Sequence, residues 1–73
     1  DRDELLVARE RAIAEYGSAT ACGGSKRASK IRRWARSIGV SAMTLNHTSS
    51  SARRIGCKAA SRIRKRAKAR LGG

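Results

Sequence analysis

The sequence contains no proline and no phenylalanine, one tryptophan, one tyrosine, one histidine and five acids among 73 residues. Four leucines, five isoleucines and two valines make eleven large aliphatic residues, about 15% and below the roughly 20% that an ordinary core requires at high net charge. Thirteen alanines supply much of the hydrophobic content. Alanine buries little area, and apolar burial stabilises by only about 25 cal/mol per Å², so one thin core is the most this chain supports. A second domain is excluded by length. With proline absent and Ala, Arg and Lys abundant, the intrinsic bias runs to helix and away from sheet, and the fold class expected is all-α.

Other absences bear on chemistry. All five acids (Asp1, Asp3, Glu4, Glu10, Glu15) lie in residues 1–16, where they serve helix capping and solubility. No Walker-type glycine loop is present, and the lone His47 has no evident nucleophile partner, so no enzyme is expected. Cys22 and Cys57 form neither a CxxC pair nor a zinc spacing with His47, which leaves no metal or other cofactor to expect. No run approaches about 18 consecutive apolar residues, so nothing spans a bilayer. The two cysteines read as free thiols in a reducing intracellular compartment such as cytoplasm, nucleoid or organelle matrix. A Cys22–Cys57 disulfide requires a fold that brings them together. The start at Asp1 rather than at methionine reads as a processed product or a fragment. Asn46, His47 and Thr48 form a glycosylation sequon, which matters only in a secretory compartment.

What the sequence has is positive charge: 18 Lys and Arg against those five acids, a net +13. Cations at this density repel one another in a compact state, and a polyanion neutralises them. Residues 1–16 carry a net −2, so the binding part lies beyond them, and the first helix is left for packing or for other proteins of a larger complex. Nucleic acid is the partner expected. An anionic membrane is not, because interfacial helices enlist Trp, Phe and Leu, whereas the apolar positions here are mostly Ala and Ile.

Four segments follow from periodicity. Leu5, Leu6, Ala8, Ala12, Ile13 and Tyr16 share a face of a helix over 1–16, with Asp1 and Glu4, or Asp3, available to cap it. Residues 17–24, GSATACGG, read as a helix stop and a flexible loop. Ser25 then caps a second helix whose buried stripe is Ala28, Ile31, Ala35 and Ile38, with Trp34 beside it in the core, and Gly39 ends it. Ser41 caps a short third helix to about His47, with Val40, Met43 and Leu45 available to the core, followed by a polar joint at 48–51. Residues 51–71 read as one long basic helix closed by Gly72 and Gly73. Its Ile55, Ala59 and Ile63 side packs, while its last turns leave the core because Arg66 and Arg70 intrude on the apolar arc.

Within 25–48, the stretch from Ala35 to Leu45, ARSIGVSAMTL, resembles a helix-turn-helix DNA-binding motif, and with Ile31, Trp34 and Thr48 the likeness covers about 18 residues. Ala35 allows close helix approach, Gly39 supplies the turn, and Ser41 starts the second helix. Thr48 stands where the family carries a hydrophobic residue, and the second helix lacks Lys and Arg. The resemblance implies a helix in the major groove with Ala42, Thr44, Asn46 and His47 towards the bases and Ser41, at its start, also at the nucleic-acid surface. Phosphate contacts fall to Lys26, Arg27, Lys30, Arg32, Arg33 and Arg36, and to Arg53, Arg54, Lys58, Arg62, Arg64, Lys65 and Lys68. The alternative is an RNA-binding structural component of a ribonucleoprotein such as a ribosome: the basic run AASRIRKRAKARL resembles terminal helices of small ribosomal proteins, and RNA would complete an inadequate core.

Overall fold

Four helices, α1 (Arg2–Ala21), α2 (Ser25–Ser37), α3 (Ala42–Ile55) and α4 (Cys57–Arg70), make up the computed structural model, which describes residues 2–71. The all-α expectation holds among these residues. The expected Asp1 cap and the Gly72–Gly73 stop lie outside them; Asp3 and Glu4 do occupy the first turn of α1, where they suit the helix dipole.

Helix α1 is the hub, and α2, α3 and α4 each pack against it. The small core follows from the composition. Ala12, Tyr16, Ala19, Ala28, Ala35, Val40 and Leu45 are buried together, with Ile13, Ile31 and Ile38 packed partly against them. Leu45 is the one large side chain wholly buried among the described residues. Trp34, expected in the core, is 40% exposed, and Met43 is 80% exposed. Alanine at positions 12, 28 and 35 draws the backbones together and leaves little room between helices for either side chain.

The expected loop at 17–24 is mostly helix. Gly17, Ser18 and Ala19 are buried in α1, because α3 crosses closely there: a Cβ on Gly17 would lie 3.3 Å from Thr48 Cγ2 and 3.5 Å from Ala52 Cβ. Glycine at this position admits a neighbouring helix rather than ending its own. The reversal comes later, at Gly23 (φ 76°), where the Gly24 N–H donates to the Ala19 carbonyl at 2.8 Å. Gly24, not Ser25, is the residue before α2, and no side chain caps that helix.

The turn after α2 is a Schellman motif. With Gly39 at φ 94°, the Val40 N–H reaches the Ala35 carbonyl (2.9 Å) and the Gly39 N–H reaches that of Arg36 (3.2 Å). Ser41 caps α3 as expected, its Oγ accepting from the Thr44 N–H at 3.1 Å. Beyond it two expectations fail together. Helix α3 does not stop at His47 but runs through the serines to Ile55, with Ser49 buried, and the long helix over 51–71 is divided at Gly56, whose φ of 93° no helix accommodates. Nor do the last turns of α4 leave the core: Ala67 is buried and Arg70 Nη2 pairs with Glu10 Oε2 of α1 at 3.3 Å.

The thiols are not free. Cys22, just past α1, and Cys57, the first residue of α4, form a disulfide with their Cα atoms 4.7 Å apart. The break at Gly56 makes this possible, since it starts α4 beside the end of α1. The inference to a reducing compartment loses its premise.

Candidate nucleic-acid interface

Each basic helix turns its alanines to α1 and its cations outward. On α2, Ala28 and Ala35 are buried while Lys26, Arg27, Lys30, Arg33 and Arg36 are exposed; on α4, Ala60 and Ala67 are buried while Lys58, Arg62, Lys65, Arg66 and Lys68 are exposed. Helix α3 contributes Arg53 and Arg54 in its last turn, where they also suit the helix dipole. Because α3 extends to Ile55, these two cations stand about two helical turns beyond Asn46 and His47 on one continuous helix.

Three of the predicted cations are partly engaged within the fold. Glu15 of α1 accepts from Arg27 Nη2 of α2 at 3.3 Å and from Arg64 Nη1 of α4 at 3.2 Å. One carboxylate therefore ties both basic helices to the hub, and Glu10 adds the tie to Arg70. Glu15 acts as a partly buried counter-ion within the fold, a role beyond the capping and solubility expected of it, while Glu10 and Arg70 form a largely exposed pair. Arg64 Nε is buried without a hydrogen-bond partner, so packing this side chain against α1 carries a desolvation cost beside its ion pair. Arg32 is the third: its Nη1 donates to Tyr16 Oη at 2.9 Å and to Asn46 Oδ1 at 3.4 Å, with its Cζ 6.0 Å from the centre of the Tyr16 ring.

The Arg32–Asn46 pair joins two residues that the sequence offered separately. With its carbonyl oxygen engaged, Asn46 has its amide N–H groups left to offer, next to the guanidinium; the pair is suited to an acceptor such as a phosphate oxygen or a base edge. The other predicted base readers do not converge on it. Ser41 and Thr44 are spent on each other, their hydroxyls 2.9 Å apart at the cap, and Ala42 is half-buried. Thr44 and His47 instead line a groove shared by α1, α3 and α4.

That groove is the feature sequence reading missed. It has a volume of about 560 Å³, a floor of Gly17, Ala52 and Ala60, and walls that include Met43, Ile55 and Ile63. The signal is present in the apolar residues Met43, Ile55 and Ile63, which periodicity alone points to internal packing rather than to a groove. No group of three or more His, Cys, Asp or Glu side chains that would hold a metal occurs among the described residues. Compared with known proteins, the chain matches no family model, no curated protein and no solved structure.

Proposed function

We propose that this chain is a non-enzymatic nucleic-acid-binding protein that holds phosphates with the outer faces of α2, α4 and the end of α3. The observation that carries the reading is the segregation of charge. Glu15 lies between α2 and α4, where Arg27 and Arg64 meet it, and Glu10 pairs with Arg70 at the surface, while cations that make no such pair, such as Lys30, Arg33, Arg62 and Lys65, are exposed. A field of one sign spread over two helices on a common hub attracts a polyanion and gains by releasing its counter-ions. In the helix-turn-helix version of this reading, α3 enters the major groove and Asn46, with Arg32 behind it, meets base edges.

A second reading makes the partner RNA and the chain a structural part of a ribonucleoprotein. What favours it is the thin core, in which Leu45 alone among the described large side chains is fully buried; an RNA partner supplies ordering that such a core lacks. A competition separates the two. Labelled random duplex DNA is bound to the disulfide-intact protein at near-physiological salt and displaced by unlabelled duplex or by structured RNA, while circular dichroism is followed. Stronger displacement by RNA, with helix gained only on binding it, selects the ribonucleoprotein reading. Equal or better competition by duplex, with the protein helical alone, selects DNA. No binding of either at low salt removes both.

A further inference from the structure

The chemistry of the groove between α1, α3 and α4 is of another kind than that of the basic faces. Its lining is Ile, Ala, Gly and Met with a few hydroxyls and His47, and contains no acid and no Lys or Arg. Three large apolar side chains stand open on its walls: Met43 at 80% exposure, Ile55 at 48% and Ile63 at 49%. In a chain with eleven large aliphatic residues, leaving two isoleucines about half exposed and the sole methionine mostly so is a sizeable fraction of the apolar material available. Cations follow at the edges. Arg54 lies three residues after Ser51 and seven after His47 on α3, and Arg66 lies three after Ile63 on α4, spacings that bring each beside the lining on its own helix. Both are exposed.

We infer that this groove is a docking site for an acidic amphipathic helix of a partner protein, with apolar side chains seated between Met43, Ile55 and Ile63 and carboxylates facing Arg54 and Arg66. Shape and charge both select this occupant. From Met43 to Ile55 the wall runs twelve residues along α3, about 18 Å, the length of three turns of a docked helix. The floor residues Ala52 and Ala60 are buried, so the site is concave and a flat bilayer would reach only its rims. Walls this open would not enclose most of a small molecule, as ligand pockets do. A second copy of the chain would bring a net +13 to the same cationic edges, and its acidic residues 1–16 belong to α1, which already packs against three helices of its own fold. Met43 suits the role because its unbranched thioether adapts to whatever packs on it. Docking does not require nucleic-acid binding, but the two share Arg54 and one side of α3, so a docked helix and a bound nucleic acid would compete there.

The test uses the disulfide-intact chain with labelled methyl groups and a 16-residue peptide carrying Leu at i, i+3, i+4 and i+7 positions and Glu on its other face. A control peptide has the same composition with the leucines scrambled. At about 150 mM salt the patterned peptide should shift the Met43, Ile55 and Ile63 methyl signals and bind at least tenfold more tightly than the control. Ile63→Ser, and independently Ile55→Ser, should each weaken it about tenfold with unchanged circular dichroism. Both sites are half exposed, so a fold lost in one variant leaves the other to report. Equal binding of both peptides, or shifts confined to the amides of α2 and the outer face of α4, overturns the proposal in favour of charge alone. Methyl shifts produced by anionic phosphatidylglycerol vesicles or by decanoate, and not by the patterned peptide, overturn it in favour of a membrane or a small amphiphile.

Discussion

Arg9 of α1 reaches across the end of α2 so closely that a Cβ on Gly39 would lie 2.6 Å from its Nη2. The same side chain donates from Nε to the Ile38 carbonyl at 2.8 Å, satisfying a helix-end acceptor from outside the helix. Gly39 is thus held by two separate requirements, a φ of 94° and clearance for a guanidinium. Gly39→Ala is expected to cost about 1–2 kcal/mol for the left-handed backbone alone, with a further loss from displacing Arg9. A double-mutant cycle in urea checks this: the substitution should be less costly in an Arg9→Ala background, where only the backbone part remains. Equal costs in both backgrounds would show that Arg9 moves aside freely.

The disulfide closes a separation of 35 residues. On the chain-entropy account, a loop of this size stabilises by about 3–4 kcal/mol, a large share of what so small a core provides. The oxidised protein should show an intact mass about 2 Da below the reduced chain, a difference that follows from removal of two hydrogens on closing one disulfide. Reduction, or Cys22→Ser with Cys57→Ser, should move the urea midpoint down steeply. A midpoint unaffected by reductant would mean that packing on α1 alone sets the end of α4.

Glu15 carries two ion pairs that are partly open to solvent, and such pairs are worth about 0–1 kcal/mol each after screening. Glu15→Gln should therefore lower stability modestly at low salt and hardly at all at about 0.5 M salt. Under the proposed function it should also tighten nucleic-acid binding, because Arg27 and Arg64 lose their internal counter-ion. A thermal melt and a binding titration on one preparation read both effects, and their opposite signs distinguish an internal tie from a surface contact.

How much of this was legible beforehand differs by element. The helix faces were read from periodicity wherever alanine marked the buried stripe, as at Ala28 and Ala35, and the turn at Gly39 was read from residue type. Glycine misled elsewhere because it has two uses. Gly17 reads as a helix stop and is a close-approach site against Thr48, whereas Gly56, within the single helix expected over 51–71, divides it at positive φ. Tertiary position decides between these, and no local pattern encodes it. Hydrophobicity alone points Trp34 to the core, makes Met43 available to it and gives Ile55 and Ile63 a packing side, although the tight alanine contacts leave these side chains little interior to enter. Of the site, the exposed cations were legible residue by residue. The Arg32–Asn46 pair and the two-way tie at Glu15 were not, since both depend on which helices meet around α1.

Under the proposed function, substitutions at and away from the Arg32–Asn46 pair would separate base reading from phosphate binding. Arg54→Ala and Arg62→Ala each remove an exposed cation outside the pair, and each should weaken binding to all sequences alike, lowering the salt slope by roughly 0.9 for every phosphate left unneutralised on duplex DNA. Asn46→Ala removes no charge. If α3 reads bases, it should leave the salt slope unchanged and cost about 1–3 kcal/mol on a selected site while hardly affecting random duplex. The control is Arg32→Lys, which keeps the charge but loses the planar guanidinium between Tyr16 and Asn46; it should mimic Asn46→Ala if orientation of the amide is what matters. An Asn46→Ala variant that binds every sequence as the parent does would remove the helix-turn-helix reading and leave the basic faces as the whole of the interface.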